Sequence, residues 1–115
     1  MDPQQGTVLR LYGEIDDEAC IAVRRQLAPQ LADGLSNVLI DLTHATALRP
    51  PAVRMLRSLH EHLHARQGGL LLIRPSDSVQ RTLVINDLEH LLEVRDLPLP
   101  VGVVPLHGRA RVART

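Results

Sequence analysis

Histidines and a glutamate stand close together in the segment from His60 to His64, which reads HEHLH. Zinc peptidases use the H-E-x-x-H spacing to place two imidazoles one helical turn apart, with the glutamate as general base. A catalytic zinc needs a third protein ligand. No later residue stands at a spacing that identifies one, and Glu89 and His90 stay open as candidates. A zinc hydrolase is therefore a remote alternative.

The expected position of this segment on its helix argues against catalysis. Leu59 and Leu63 belong to the predicted apolar stripe, so the histidines beside them would lie on a convex, solvated surface. Arg57 precedes Glu61 by four residues, a spacing at which side chains face each other across one turn. We expect this guanidinium to occupy the would-be base. The favoured interpretation is a solvated, His-rich helix face that binds metal only adventitiously. No metal site and no cofactor is predicted.

The remaining reactive side chains show no catalytic arrangement. Cys20 falls on a helical stripe of aliphatic residues, which predicts an inert thiol in the core. Ser58, Ser76 and Ser78 lack the context of a nucleophile elbow. The glycines of RQGGLLL precede a strand and do not open a helix, so they do not form a phosphate loop. We predict that this protein is not an enzyme.

Composition excludes several classes of partner. Thirteen basic residues, all arginine, balance thirteen acidic ones, so the basic surface expected of a nucleic-acid-binding protein is missing. One tyrosine is the sole aromatic residue, which leaves no platforms for stacking bases. A single cysteine forms no internal disulfide. With no apolar run long enough for a membrane span and no secretory leader, we expect a soluble, cytoplasmic protein.

Strand-like and helix-like periodicities alternate along the chain. Asp16 or Asp17 and Ser76 are suitable helix N-caps, while Asp33-Gly34 and Gly68-Gly69 are expected to end helices. The segment THATAL is interpreted as a polar link. The predicted strands cover residues 7–15, 37–42 and 70–74, and the predicted helices cover residues 17–32, 50–67 and the segment after residue 76. This order is typical of an α/β domain with a largely parallel sheet.

Three segments together resemble the STAS domain of the bacterial anti-sigma factor antagonist family. VLRLYGEID is similar to the family's opening strand, and NVLIDLTHATAL is similar to its central strand. GGLLLIRPSDSVQRTLVINDLEHLLEV is similar to the closing strand, helix and final segment. The resemblance implies one domain over residues 7–95, with a small mixed sheet, helices and no catalytic activity. Residues 1–6 would be a short lead, and residues 96–115 a loosely ordered tail in which VGVV could add an edge strand.

The same resemblance implies a regulatory switch at the start of the second helix. There the family has Asp-Ser-Ser-Gly, whose second serine is phosphorylated by the anti-sigma factor, a kinase-like ATPase. Aligned without gaps from Asp41, this chain has RPPA at residues 49–52. Pro51 takes the phosphoserine position and cannot be phosphorylated, while Arg49 reverses the local charge. Asp16 matches an aspartate at the end of the family's first strand.

We therefore predict a regulatory domain that binds an anti-sigma factor or another protein partner without serine phosphorylation at this position. A moved switch would use another hydroxyl, such as Thr46 or Ser58. Self-association into a homodimer stays open. The alternative is a scaffold of a stress-signalling assembly or a subunit of a lipid-transport ATPase. The predicted partner-binding corner and its exposed flank comprise Asp16, Arg49, Pro50, Pro51, Ala52, Val53, Arg57 and His60.

Overall fold

The computed structural model describes residues 6–91 and the backbone of two further short strands, at 105–106 and 112–113. No helix in these residues is both long enough and apolar enough to cross a bilayer. The elements in chain order are β1 (Gly6–Ile15), α1 (Asp17–Ala32), β2 (Asn37–Leu48), α2 (Pro50–Ala65), β3 (Gly69–Ile73), α3 (Asp77–Ile85), a 3₁₀ turn (Glu89–Leu91), β4 (Pro105–Leu106) and β5 (Val112–Ala113).

The strands form one mixed, mostly parallel sheet in the order β3-β2-β1-β4. β1 pairs in parallel with β2 and β4, and β2 pairs in parallel with β3. β5 pairs antiparallel with β1. The prediction of a single α/β domain is confirmed. The predicted looseness of the tail, and the edge strand at residues 101–104, concern segments largely outside the described residues and stay predictions.

An aliphatic core joins alternate residues of the central strands to the inner faces of all three helices. In the predicted helical stripe of α1, Cys20, Val23 and Leu27 are buried and Leu31 is partly buried, as expected of a stripe that faces the core. The largest fully buried side chains include Leu9, Leu11, Ile15, Ile40, Leu42, Leu56, Leu63, Leu72 and Leu83.

β2 is longer than its sequence pattern predicts. The segment THATAL, interpreted above as a polar link, continues the strand to Leu48. Between the Arg10–Asp41 pair and the Glu14–Ala47 pair, β2 contains two more residues than β1, and the register shifts twice. Each extra residue breaks the strict alternation of faces. The interpretation of THATAL as a link was therefore wrong, because the bulges interrupt the apolar-polar alternation by which a strand is predicted.

Each of the three α-helices ends in a Schellman motif, in which the chain turns through one left-handed residue. That residue is Gly34 after α1, with φ 99°. After α2 and α3 it is Gln67 and Asp87, with φ 64° and 58°. The closing backbone bonds run from Leu35 N to Gln30 O, from Gly68 N to Leu63 O and from Leu88 N to Leu83 O, at 2.9, 2.9 and 2.8 Å.

We expect Gln67→Gly to raise the free energy of unfolding by about 1 kcal/mol, because glycine adopts the left-handed conformation without a steric cost. Asp87→Gly should gain less, since aspartate tolerates this region better than glutamine. Urea denaturation of both variants beside the wild type tests this. A larger gain at residue 87 than at residue 67 would contradict the explanation.

Candidate functional site

The predicted binding corner forms where β1 and β2 end side by side. Ile15 and Leu48 are register partners, so the residues that follow them, Asp16 and Arg49, meet at one edge of the sheet. The backbone N–H of Arg49 donates to Ile15 O at 3.0 Å. The Arg49 side chain lies 3.9 Å from Glu14, and both groups are more than half exposed. Such an exposed ion pair contributes little stability, which leaves this arginine available to a partner.

Asp16 has a structural role at this corner. It is the N-cap of α1, and its Oδ1 accepts a hydrogen bond from Ala19 N at 3.0 Å. Capping of this kind stabilises a helix by about 1 kcal/mol. The structure therefore places Asp16 and Arg49 at neighbouring strand ends and gives the Asp16 carboxylate a capping role.

The first turn of α2 offers no free backbone donor. Pro50 and Pro51 occupy its first two positions and have no N–H. The next two residues, Ala52 and Val53, both donate to Arg49 O, at 2.8 and 3.2 Å. An anion at a helix start is normally held by free N–H groups and the helix dipole. This start lacks those donors and carries two proline rings, of which the first is exposed.

Two of the predicted contact residues point inward. Ala52 is fully buried and Val53 is 7 % exposed. Placing Val53 on an exposed flank was therefore wrong. Its side chain lies at the bottom of a groove between α2 and α3, a tertiary arrangement that the periodicity of α2 alone did not reveal. Ala52 can therefore offer no more than its backbone to a partner, and the side chain of Val53 is reached only through the groove that it lines.

Arg57 is exposed as predicted, but its interaction differs. Its Nη2 donates to the backbone carbonyl of Asn86 at 2.6 Å, so the guanidinium caps the C-terminal end of α3. A cation at a helix C-terminus is favoured by the helix dipole. The expected pairing of Arg57 with Glu61 was wrong, and Arg57 instead links α2 to α3.

Sequence reasoning missed Arg54, which is exposed on the same side of α2. It follows Pro50 by four residues and precedes Arg57 by three, the spacings that place side chains on one helix face. That signal was available in the sequence.

The attachment of α3 to the sheet was not predictable from the sequence. Ser76 and Ser78 donate hydrogen bonds from the first turn of α3 to the β2 carbonyls of Ala45 and Thr46, at 3.5 and 3.1 Å.

The histidines of HEHLH form part of a small ring cluster. His60 lies 5.7 Å from His64 and 5.3 Å from His90, between ring centroids. His60 is partly buried, and its Nδ1 is shielded from solvent without a hydrogen-bond partner, so placing it on an exposed, solvated flank was wrong. Across residues 6–91, no three His, Cys, Asp or Glu side chains are placed to hold a metal ion. The zinc-site hypothesis therefore gains no geometric support.

Cys20 is unsuited to nucleophilic chemistry at neutral pH. Burial raises the pKa of its thiol, with the carboxylates of Asp17 and Asp16 acting in the same direction and Arg24 opposing them. A raised pKa reduces the thiolate fraction, which is the reactive form. This agrees with the expected core role.

The sheet, the three helices and the corner at the strand ends define a small α/β domain of the type that the sequence resemblance implied. The sequence model of the STAS domain matches residues 2–97. The chain therefore belongs to the STAS domain family. A search of curated protein sequences gives no significant match.

Solved structures with the same fold include two of SpoIIAA. The chain is 19 % identical to the anti-sigma factor antagonist SpoIIAA in its unphosphorylated form, with a TM-score of 0.71, covering 81 % of this chain and 83 % of that one. The chain is 20 % identical to the Bacillus cell fate determinant SpoIIAA in the phosphorylated form, with a TM-score of 0.63, covering 76 % of this chain and 80 % of that one. It is 15 % identical to the protein TM1081, whose NMR structure matches with a TM-score of 0.68, covering 84 % of this chain and 76 % of that one. At identities this low, the structural similarity shows a shared fold and nothing more specific.

Proposed function

We propose that this chain is a non-enzymatic regulatory domain that binds an anti-sigma factor of the kinase-like ATPase type. In this proposal, serine phosphorylation at the start of α2 does not control the complex. The observation that carries the proposal is the RPPA segment at residues 49–52, which stands at the exposed corner of an antagonist-like fold without a hydroxyl group. A kinase-like partner that docks there finds no acceptor for phosphate.

The geometry of the corner supports a protein partner. Arg49, Pro50, Arg54 and Arg57 present exposed side chains along one edge, while the buried residues beneath them fix the backbone. The rigid proline rings lose little conformational entropy on binding, whereas each arginine that becomes ordered costs about 0.5–1.5 kcal/mol. Arginine is also enriched at the centres of protein interfaces.

The test uses a kinase-like anti-sigma factor encoded near this gene. We expect a dissociation constant that changes less than about twofold after incubation with ATP and Mg²⁺, and no phosphate on residues 49–52 by mass spectrometry. A Pro51→Ser variant is the matched control: it restores a hydroxyl, and its phosphorylation would place residue 51 at the partner's active site. Phosphate on Thr46 or Ser58 of the wild type would show that the switch has moved.

Absence of any complex with such a partner would overturn the proposal. Association with a lipid-transport ATPase or a stress-signalling scaffold would support the alternative role of a structural subunit. Size-exclusion chromatography with light scattering, run at several concentrations, decides whether the chain also forms a homodimer.

A further inference from the structure

The last turn of α3 carries aliphatic side chains that the domain does not bury. Ile85 is 79 % exposed and Val84 is 48 % exposed, the former more than any other large hydrophobic side chain in the described chain. Single exposed aliphatic residues are ordinary on protein surfaces. Both side chains line a shallow concavity on the outer side of α3. Ile85 is distinctive because it also stands next to Asn86, a residue of the groove that continues the corner described above.

The groove runs between the first two turns of α2 and the C-terminal half of α3, with a volume of about 240 Å³. Leu48 and Val53 provide its apolar floor, and Asn86 belongs to its α3 wall. Ile85 directly precedes Asn86 and follows Thr82, another lining residue, by three positions, so it stands at the rim. The hydrogen bond from Arg57 to Asn86 O fixes the distance between the two walls.

Charge decides what this groove can accept. Arg54 and Arg57 line it, and none of its lining residues is acidic. Arg49 stands next to it at the start of α2, with Glu14 as its ion-pair partner. Two acidic residues stand near it without lining it: Asp87 follows the lining residue Asn86, and Asp77 shares the outer concavity of α3 with Ile85. The groove therefore combines an apolar floor, an aliphatic rim and a net positive wall.

Neither the chain's own C-terminal segment nor a second copy of the chain matches the positive charge of this groove. The chain's own C-terminal segment, HGRARVART, contains three arginines and no acidic residue, so it has the same sign of charge as the groove. A second copy would bring a second set of arginines to a symmetric contact, because the same patch meets itself in a two-fold interface. Juxtaposed like charges oppose such a complex.

We propose that the groove between α2 and α3 binds an acidic amphipathic helix of the protein partner. An aliphatic residue of that helix packs against Ile85 and the groove floor, and its carboxylates face Arg54 and Arg57. Helix-in-groove recognition uses apolar anchors at positions i, i+3 or i+4 and i+7. The inference rests on the proposed function and adds the chemistry of the partner's contact segment.

The test titrates the full-length ¹⁵N-labelled chain with three synthetic peptides of about 16 residues, long enough for four helical turns. The first has leucines at amphipathic spacing and glutamates elsewhere. The second replaces every glutamate with lysine, and the third scrambles the first. We expect saturable shifts of the amides of residues 52–57 and 82–86 with the first peptide only.

Variants locate the contact. Ile85→Ser and Arg54→Glu should each weaken binding of the acidic peptide about tenfold or more, as expected for an apolar anchor and a facing charge. Ile21→Ser is the matched control, since Ile21 is an exposed aliphatic residue of α1 at 48 % exposure and should leave the affinity unchanged. All of these side chains are exposed, and circular dichroism confirms that each variant is folded.

Several outcomes would overturn the inference: no saturable shift, equal binding of the lysine peptide, shifts centred on α1, or unchanged affinity in Ile85→Ser. A homodimer that Arg54→Glu dissociates would assign the groove to a second copy instead. If the kinase-like partner binds the wild type and both groove variants equally, the inference fails while the proposed function stands. If the acidic peptide binds and that partner does not, the proposed function fails while the groove assignment stands.

Discussion

Gly68→Ala is expected to lower the free energy of unfolding by about 3 kcal/mol, at the upper end of the cost of overpacking. A Cβ atom at residue 68 would lie 2.5 Å from the carbonyl carbon of Ser36 and closer still to its oxygen. Both are backbone atoms, so no rotamer change can relieve the clash. The same Ser36 oxygen accepts from Gly69 N at 2.9 Å. An alanine must therefore separate the start of β3 from β2.

The neighbouring glycine is the control for this prediction. A Cβ atom built on Gly69 meets nothing within 4 Å, and neither glycine has a positive φ. Gly69→Ala should therefore change the free energy of unfolding by less than about 1 kcal/mol. Urea denaturation of both variants measures the difference. If Gly68→Ala is as stable as Gly69→Ala, the close approach of residue 68 to the Ser36 backbone is not a constraint on the fold.

This pair of glycines shows how a correct sequence signal can have another cause. Gly68-Gly69 was expected to end the second helix, and α2 does end just before it. The left-handed turn, however, is made by Gln67, and Gly68 is required by the backbone of a distant loop. Local composition located the helix end, but the reason for the glycine lies in a tertiary contact that no local pattern encodes.

The order of elements was predictable because each helix and most strands carry their own periodicity, and two of the helices begin at a capping side chain. Asp16 and Ser76 cap α1 and α3 as their positions indicated. The second half of β2 was not predictable, since two register shifts disrupt its alternation. The site followed the same rule. Asp16 and Arg49 meet because parallel strands end together, whereas Val53 lies in a groove whose other wall is α3, and the position of α3 is set by long-range contacts with β2.

Asp41→Ala is the second variant with a large expected effect, a loss of about 2–3 kcal/mol in the free energy of unfolding. Oδ1 of this buried carboxylate accepts hydrogen bonds from the backbone N of Thr43, at 2.9 Å, and from its hydroxyl. Its Oδ2 lies 3.7 Å from Arg10 Nε, an atom that is buried from solvent and has no hydrogen-bond partner. Alanine would remove both interactions and leave the Arg10 guanidinium without its carboxylate partner.

Asp41→Asn separates the two contributions. The amide oxygen of asparagine can still accept from Thr43 N, as in an Asx turn, while the charge opposite Arg10 is lost. Because Arg10 is 30 % exposed, water compensates part of that charge, and we expect a loss of about 1 kcal/mol. Equal losses in the two variants would assign the whole effect to the ion pair.

The same two variants connect this interior residue to the proposed binding corner. Asp41 stands where the register between β1 and β2 first shifts, and the shifted strand brings Arg49 N to Ile15 O. If the Asx turn at Asp41 sets this register shift, the Arg49 amide hydrogen should exchange with solvent faster in Asp41→Ala than the loss of global stability explains. In Asp41→Asn, after correction for stability, it should exchange at the wild-type rate. Unchanged protection of Arg49 in both variants would show that the strand ends hold the corner without help from the bulge.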